Sequence, residues 1–358
     1  MNDLNKIVFL IPSLDPDDKM PQYVRELINA SAKHILLVDD GSAQENKHFF
    51  TELKDLPEVT ILTHEINKGK GRALKTGFEY ILKETKDIKG VVTADADGQH
   101  ATDDTINTGL KVLETNDVVF GTRNFNEEIV PFKSRNGNKI TTVVFRLLYG
   151  KQVNDTQTGL RGLPIDFLPK CLEIKGERFE YEIGMLIEIV RENRNIYELP
   201  IKTIYYDSNR ATHFNTFKDS FRIYKIMFSQ FFKFVIVSLS SFLIDINLYT
   251  ILYNFVFNKL KYAKAILFAT ILARIVSSLF NFFMNKNKVF DNKGGNIKTM
   301  IKYYALAVCQ MLLSSALVTF VFSKIQFNTS IIKLFVDFVL FLISYQIQRT
   351  WVFKEARK

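Results

Sequence analysis

Cysteine is scarce in this chain, and the features of a cleavable secretion signal are missing. The two cysteines in 358 residues, Cys171 and Cys309, lie far apart and belong to no CxxC pair or histidine-rich cluster. The sequence therefore predicts neither a disulfide framework nor a zinc site, and a reducing compartment is expected. The first apolar run, Ile7 to Ile11, is too short for a signal core and is followed by Pro12, so we expect a cytosolic N-terminus.

The first two thirds of the chain have no excess of positive charge. The net charge is +9, but residues 1–229 have 31 Lys or Arg against 34 Asp or Glu, whereas the segment from Gln230 onward has 16 against four. A groove for nucleic acid needs its cations on a folded polar surface, and here they flank apolar runs. Nucleic-acid binding is therefore not predicted.

Long apolar runs begin only at Phe234. Four segments are near the ~20 residues that span a bilayer core: Phe234 to Phe257, Ala265 to Met284, Tyr303 to Phe322 and Ile331 to Ile347. The loop between the second and third spans and the C-terminal tail are rich in Lys and Arg, which favours a cytosolic head and cytosolic termini. We expect a multi-pass protein of the bacterial inner membrane.

Three further features concern the membrane part. The ends of spans two and four are alike, Asn285 to Phe290 and Gln348 to Phe353, which indicates either a duplicated helical hairpin or convergent use of interfacial residues. Aromatic residues recur at helical spacing from Phe217 to Phe231, which fits an amphipathic helix on the membrane surface or a core helix of the head. Charges inside spans are costly unless paired, so we expect Arg274 to pair with Asp245 or Asp337 inside the bundle.

Before residue 216 the pattern is that of an α/β domain. Short β-branched, apolar runs alternate with helical patterns. The runs are Ile7 to Ile11, Ile35 to Val38, Val59 to Leu62, Gly90 to Thr93 and Val118 to Phe120, and the helical patterns are Pro21 to Lys33, Arg72 to Lys83 and Asp103 to Glu114. This alternation predicts a mostly parallel sheet covered by helices on both faces. In such sheets ligands bind beyond the carboxyl ends of the strands, so the residues that follow each strand are the candidates for chemistry.

The sharpest candidate is the acidic pair Asp95 and Asp97, which follows a predicted strand directly. Two carboxylates at this spacing can hold Mg²⁺ or Mn²⁺, with Gln99 as a further oxygen ligand, while waters and a diphosphate fill the other positions. The alternative is a solvated acidic turn. Nothing in the sequence distinguishes Mg²⁺ from Mn²⁺.

Other strand ends offer groups for a nucleotide. The first predicted strand ends in Pro12-Ser13-Leu14-Asp15 and the second in Val38-Asp39-Asp40, whose carboxylates suit the hydroxyls and N–H groups of a nucleoside, although each can also cap a helix. The segment Asn67 to Arg72 offers backbone N–H groups and cations, including Lys70, for phosphate. A solvated turn fits that segment equally well.

Taken together, these motifs resemble glycosyltransferase family 2 of the GT-A fold, and more closely its polyprenyl-phosphate sugar synthases. The resemblance covers nearly all of residues 5–225. It rests on Asp39 to Ser42, Asn67 to Gly71, Asp95 to His100, Gly121 to Arg123, Ser134 to Asn138, Asp155 to Arg161 and Phe179 to Glu182. The four spans resemble the GtrA-like membrane family. The resemblance implies a GT-A head over residues 1–215, an amphipathic helix over 216–232 and a four-span membrane domain over 233–358.

The resemblance also implies roles for particular residues. Asp95, Asp97 and Gln99 match the metal-binding motif, and Arg123 and Arg135 match arginines that hold the lipid phosphate. Asp15-Pro16 departs from the family's usual Asn-Glu, which leaves the base contact there in doubt. The residues expected to bind the nucleotide sugar are Pro12, Leu14, Val38, Asp40, Lys70, Asp95, Ala96, Arg210 and Thr212.

A phosphate acceptor has a chemical consequence. Its second pKa is near ~6, so it is largely a dianion at cytosolic pH and needs cations rather than a strong base. Arg123 and Arg135 can supply these cations, unless they are ordinary surface arginines. For Asp155 we favour a positioning or structural role over proton abstraction, and with Asp97 these residues form the predicted catalytic set.

The sequence thus predicts a membrane-bound, metal-dependent inverting glycosyltransferase. It would move a sugar from a nucleotide diphosphate to undecaprenyl phosphate or another polyprenyl phosphate, for glycosylation of the cell envelope. The favoured donors are UDP-glucose and UDP-N-acetylglucosamine, ahead of GDP-mannose. Two alternatives remain, a translocase of lipid-linked sugars with a vestigial head, and a transferase of the same fold acting on a neutral hydroxyl. The oligomeric state stays open, a homo-oligomer included.

Overall fold

The structure, a computed structural model, describes residues 3–125, 130, 132–202, 204 and 216–354. The chain forms two compact units, Met1–Met227 and Phe228–Lys358. The boundaries drawn from the sequence at residues 215 and 232 stay a prediction. Arg210 and Thr212, which were expected to contact the donor, lie outside the described residues.

A mixed, mostly parallel sheet forms the centre of the first unit, as predicted. Within the described residues its order is β3-β2-β1-β4-β6-β5-β7, and only β6 runs antiparallel to its neighbours. The strands β1, β2 and β4 are buried along their whole length, because helices cover both faces and nearly every position is apolar. The bounds are β1 Ile7–Ser13, β2 Ile35–Asp39, β3 Val59–Thr63, β4 Gly90–Thr93, β5 Val118–Arg123, β6 Arg161–Pro164 and β7 Ile196–Ile201.

The helices of the first unit connect the strands and supply the rest of its core. The predicted helices correspond to α1, α3 and α4 within a few residues at their ends. The bounds are α1 Lys19–Asn29, α2 His48–Thr51, α3 Lys70–Glu84, α4 Thr102–Thr115, α5 Phe132–Tyr149, α6 Leu168–Glu173 and α7 Glu180–Arg191. The parallel strands β1, β2, β4 and β5 all end at the same edge of the sheet, which brings Ser13, Asp39, Asp95 and Arg123 to one side of the unit.

The predicted amphipathic segment is the start of a longer helix, α8 Thr216–Ile251. In the first unit, Ile223 and Met227 are buried, and the Tyr149 hydroxyl of α5 donates a hydrogen bond to the Met227 carbonyl at 2.9 Å. Phe217 and Phe221 are exposed. One face of this segment therefore packs on the head while Phe217 and Phe221 are exposed, and its contact with a membrane surface stays a prediction.

The second unit consists of long apolar helices. These are the rest of α8, α9 Tyr262–Met284, α10 Asn296–Ile325 and α11 Thr329–Ile347. In the described part of the chain, four helices are long and apolar enough to cross a membrane, over Phe217–Val256, Tyr262–Val289, Asn296–Ile325 and Thr329–Val352. The number of spans agrees with the prediction.

The ends of α9 and α11, which are alike in sequence, also share a local structure. Both α9 and α11 end in π-helical turns, Asn285–Val289 and Gln348–Val352. The matching residues contact each other: the Asn285 amide donates to the Gln348 amide oxygen at 3.4 Å, and the rings of Phe290 and Phe353 stack at 5.1 Å. Equivalent positions of the two helix ends therefore contact each other.

Arg274, at the middle of α9, forms an ion pair with Asp245 of α8 at 3.1 Å. The Ser277 hydroxyl also donates to the Asp245 carboxylate at 2.9 Å. This confirms one of the two predicted partners, whereas Asp337 instead binds Lys333 at 2.8 Å and Ser314. The expected placement inside the bundle was wrong for Arg274, since its side chain is 71% exposed at the bundle surface.

The pairing predicts non-additive effects on stability. Arg274→Leu leaves Asp245 as an uncompensated charge in the hydrocarbon, which costs ~2.5 to 3.5 kcal/mol at the centre of a span, and Asp245→Leu does the same to Arg274. The double variant removes both charges and is therefore expected to be more stable than either single variant. Unfolding of the full chain in detergent measures this, and additive losses would contradict the pair.

Candidate active site

Asp95 and Asp97 lie where β4 ends, as the sequence predicted. The turn that follows depends on Gly98, whose φ of 74° is accessible to glycine at little cost. This turn brings the Gln99 backbone N–H to 3.0 Å from the Asp97 carboxylate, to which it donates. Both carboxylates are half-buried, so they are partly shielded from water yet reachable by a ligand.

Lys70 of α3 supplies the main counter-charge. Its ammonium lies 2.6 Å from Asp95 Oδ1 and 2.9 Å from Glu182 Oε1 of α7. Burial alone would raise the pKa of Asp95, but Lys70 and His100 hold it well below its usual value. Burial, followed by the charge of Asp95, raises the pKa of Asp97. The two carboxylates therefore act on each other electrostatically, an arrangement that a shared cation relieves.

The residues at this edge fit a divalent cation bound together with a diphosphate. Among the described residues, no three His, Cys, Asp or Glu side chains are grouped as a metal site. Hard cations such as Mg²⁺ take one or two carboxylates from the protein and complete their shell with water and phosphate oxygens. Asp95 and Asp97 meet that requirement, whereas a site built from the protein alone is not expected here.

The Asp40 carboxylate holds the loop before α3. Its side chain is buried and accepts hydrogen bonds from His64 Nδ1 at 2.7 Å, from the Lys68 backbone N–H at 2.9 Å and from the Gly69 N–H at 2.7 Å. The nucleotide contact expected of Asp40 stays a prediction.

The other residues expected to bind the donor differ in accessibility. Val38, the penultimate residue of β2, is buried, and its contact with the donor stays a prediction. Pro12 lies at the end of buried β1, while Leu14 and Ala96 are half-buried at the ligand edge. Asp15, at a φ of 47°, accepts from the Ala43 N–H at 2.7 Å, so this departure from the family pattern closes a turn.

Arg123, the last residue of β5, forms a two-pronged ion pair with Asp155. Arg123 Nε donates to Asp155 Oδ2 at 2.6 Å, and Nη2 donates to Oδ1 at 3.0 Å. The Asp155 side chain is 0% exposed, whereas that of Arg123 is 19% exposed. This paired geometry fixes the plane of the guanidinium. Asp155 is thus placed to orient Arg123, in agreement with the positioning role favoured from the sequence.

Asn138 connects the second expected phosphate ligand to this pair. Arg135, in the first turn of α5, is half-buried, and Asn138 follows three residues later on the same side of the helix. The Asn138 amide donates to the Asn154 carbonyl at 2.8 Å and accepts from the Thr156 N–H at 3.2 Å. The loop that contains Asp155 is therefore tied to the helix that carries Arg135.

Gly159 leaves room for the Asp95 carboxylate. A Cβ added at Gly159 would overlap both carboxylate oxygens of Asp95. We expect Gly159→Ala to displace Asp95 and to lower the activity predicted from the sequence by about 10²-fold, because misplacement of a reacting group by ~1 Å has an effect of that size. The matched control is Gly295→Ala, where an added Cβ meets nothing within 4 Å. Equal activity of the two variants would contradict the expected crowding at Asp95.

Reasoning from the sequence missed two residues of this site, Glu182 and Asn138. Both lie in motifs that carry the family resemblance, but spacing along the chain gave no role to either. Glu182 is 87 residues from Asp95 in sequence, and only the packing of α7 against α3 brings it to Lys70.

Comparison with known proteins identifies relatives of the first unit. The chain is 30% identical over 233 residues to an uncharacterised protein of Methanocaldococcus jannaschii, covering 62% of this chain and 93% of that protein. It is 31% identical over 226 residues to the UDP-N-acetylglucosamine–dolichyl-phosphate N-acetylglucosaminyltransferase of Methanococcus voltae, covering 58% and 89%. It is 28% identical to the undecaprenyl-phosphate 4-deoxy-4-formamido-L-arabinose transferase of Sodalis glossinidius, covering 48% and 53%.

A solved structure and two domain families also resemble parts of this chain. Glucosyl-3-phosphoglycerate synthase from Mycobacterium tuberculosis aligns with a TM-score of 0.49 and 14% identity, over 64% of this chain and 81% of that one. Residues 9–169 match the glycosyl transferase family 2 domain, and residues 233–353 match the GtrA/DPMS transmembrane domain. The chain is therefore a membrane protein that belongs to glycosyltransferase family 2 and carries a GtrA/DPMS transmembrane domain.

Proposed function

We propose that the chain transfers a sugar from a nucleotide diphosphate donor to a polyprenyl phosphate, with inversion at the anomeric carbon. An acceptor phosphate oxygen forms the new bond to the anomeric carbon while the bond from that carbon to the diphosphate oxygen breaks. The nucleotide diphosphate leaves with the bonding electrons. An α-linked donor would give a β-linked polyprenyl-phosphate sugar. The names of the two transferases among the relatives, one for dolichyl phosphate and one for undecaprenyl phosphate, support this acceptor class.

The observation that carries the proposal is the buried Asp155–Arg123 pair. A neutral hydroxyl acceptor needs a base that it can reach, but Asp155 has no exposed surface and is bound to Arg123 at 2.6 Å. Glu180, a carboxylate in the motif Phe179 to Glu182, accepts a hydrogen bond from the Glu177 backbone N–H at 3.2 Å. The site thus presents an oriented guanidinium, which suits an acceptor that is already ionised.

The donor end of the site is assigned to Asp95 and Asp97. A divalent ion, Mg²⁺ or Mn²⁺, held there would neutralise the negative charge that develops on the leaving diphosphate. Lys70 lies beside Asp95 and adds a second positive charge at the diphosphate. We favour UDP-N-acetylglucosamine or UDP-glucose, because the relative from Methanococcus voltae is named for the first of these donors.

We further propose that the head and both termini face the cytoplasm, in a bacterial inner membrane. The loop between α9 and α10 carries Lys286, Lys288, Lys293 and Lys298, and the positive-inside bias places such a loop on the cytoplasmic side. Four spans then return the C-terminus to the side of the head.

A transfer assay with the full chain tests the proposed reaction. Membranes that contain the protein are incubated with radiolabelled UDP-N-acetylglucosamine, UDP-glucose or GDP-mannose, with undecaprenyl phosphate, and with or without a chelator. We expect one labelled lipid, identified as a phosphodiester-linked monosaccharide, which the chelator abolishes. Undecaprenol is the matched control acceptor. A product from undecaprenol, or none from any donor with undecaprenyl phosphate, would contradict the proposal.

A further inference from the structure

Lys70 binds two carboxylates at once. Its ammonium lies between Asp95 Oδ1, at 2.6 Å, and Glu182 Oε1, at 2.9 Å. The side chains of Lys70 and Glu182 are 18% and 13% exposed, so solvent screens these contacts only in part. Glu182 has no other role in the site described above. A lysine held in this way occupies an oxygen of a carboxylate that the proposed function assigns to a metal ion.

The backbone around Lys70 is fixed from two sides. Asp40 accepts the Gly69 N–H at 2.7 Å, and Gly69 adopts a φ of 102° that favours glycine. On the other side, Gly71 packs so closely on Tyr181 that an added Cβ would overlap the Tyr181 Cβ, and the Arg72 N–H donates to the Glu177 carbonyl at 2.9 Å. Lys70 can therefore move its ammonium only by rotating its side chain.

We propose that Glu182 is a positioning residue that holds the Lys70 ammonium beside Asp95, so that Lys70 and a divalent cation compete for this carboxylate until a nucleotide diphosphate binds. This inference rests on the proposed function, because it takes the metal site at Asp95 and Asp97 as given. Glu182 does not touch the reacting atoms in this scheme and acts through Lys70.

Electrostatics gives the reason for the competition. An ammonium and a metal ion cannot share one carboxylate oxygen at contact distance, and two cations held within a few ångströms repel each other. A diphosphate supplies negative charge for both the Lys70 ammonium and the metal ion. When it binds, Lys70 can turn from Asp95 towards the phosphates, and the metal ion can bind the Asp95 carboxylate. Metal and nucleotide therefore bind with positive coupling, and Lys70 is the source of part of it.

The test measures Mn²⁺ binding to the full chain in detergent micelles, without nucleotide, from the electron paramagnetic resonance signal of free Mn²⁺. Lys70→Gln is expected to tighten Mn²⁺ binding about tenfold, because the competing charge is gone. Lys70→Arg retains the charge and is expected to bind Mn²⁺ within about twofold of the unsubstituted chain. The matched control is Lys83→Gln, which removes one positive charge from the same helix at a side chain that is 82% exposed.

Glu182 is tested through its dependence on Lys70. Glu182→Gln lets the Lys70 ammonium move away from Asp95 and is expected to tighten Mn²⁺ binding about threefold. In the Lys70→Gln background the same change is expected to shift the affinity by less than about twofold, which is the sign of a residue that acts through another. Thermal unfolding of each variant confirms that it is folded.

The outcomes separate the inference from the proposed function. If Asp97→Asn abolishes Mn²⁺ binding but Lys70→Gln leaves the affinity unchanged, the competition is overturned and the metal site stands. If Glu182→Gln has the same effect with and without Lys70, the positioning role of Glu182 is overturned. If Asp97→Asn binds Mn²⁺ as tightly as the unsubstituted chain, the proposed metal site itself is wrong.

Discussion

Asp97→Asn is expected to lower the rate of sugar transfer by at least about 10³-fold. Removal of one preorganised group that stabilises transition-state charge costs about 10² to 10³ in rate, and loss of the bound metal adds to this. Asp97 is one of only two carboxylates at the end of β4, and Asp95 is already engaged by Lys70 at 2.6 Å. The measurement is the initial rate of labelled-lipid formation at saturating Mg²⁺ or Mn²⁺.

Asp103→Asn is the matched control for this variant. Asp103 lies six residues later, in the first turn of α4, and its side chain is exposed. The substitution removes the same charge from the same region, but Asp103 has no hydrogen bond or ion pair to the described residues of the candidate site. Activity within about twofold of the unsubstituted chain is therefore expected. A rate for Asp97→Asn close to that of Asp103→Asn would rule out the metal role of Asp97.

The same site predicts a dependence on pH. Burial and the adjacent Asp95 raise the pKa of Asp97, so its carboxylate gains a proton at a higher pH than an ordinary aspartate does. Protons then compete with the metal ion as the pH falls. We expect the apparent metal affinity to weaken on the acid side, with the same dependence in the control variant Asp103→Asn. Titration of activity with metal at several pH values measures it.

The second large effect is expected at Arg123. Arg123→Ala removes the oriented guanidinium and leaves Asp155 buried without its partner, and breaking a buried pair in this way costs ~3 to 5 kcal/mol of stability. We expect a loss of activity of about 10³-fold, together with a lower Tm. Arg123→Lys keeps a charge but not the paired geometry with Asp155 Oδ1 and Oδ2, and is expected to restore little activity.

Two comparisons separate catalysis from folding at this pair. Asp155→Asn keeps a polar group at the buried position. It is expected to raise the KM for polyprenyl phosphate with only a small decrease in Tm. Arg194→Ala breaks another arginine–aspartate pair of the same unit, with Asp166 at 2.8 Å, and is expected to retain activity. If Arg123→Ala at a temperature where it is folded has a normal KM and kcat, Arg123 does not hold the acceptor.

Much of the fold could be predicted because local patterns and tertiary packing agree. The runs at Ile7, Ile35, Val59, Gly90 and Val118 are all strands, and the apolar segments from Phe234 onward are all helices. Strands β6 and β7 were not predicted. Arg161–Pro164 contains a charge, a glycine and a proline, and the antiparallel position of β6 between β4 and β5 depends on partners distant in sequence.

The candidate site was predictable as a set of residue types but not as a set of contacts. Asp95, Asp97, Arg123 and Asp155 were all singled out by type and motif, and the structure places Asp95 and Asp97 at one turn and pairs Arg123 with Asp155. The nucleotide contact expected of Asp40 stays a prediction, and the sequence could not show that His64 and the Lys68 backbone donate to the Asp40 carboxylate. The role of Arg135 as a phosphate ligand stays a prediction.

The sequence by itself determined the α/β head, the four spans and the position of acidic and basic residues after particular strands, since hydrophobic periodicity and strand ends are local properties of the chain. Only the tertiary structure decided which charges neutralise each other. Lys70 forms an ion pair with Glu182, 112 residues later in the sequence, and Arg123 forms one with Asp155, 32 residues later. Such pairs form because burial makes an unpaired charge costly, and which partner is near depends on how the helices pack on the sheet.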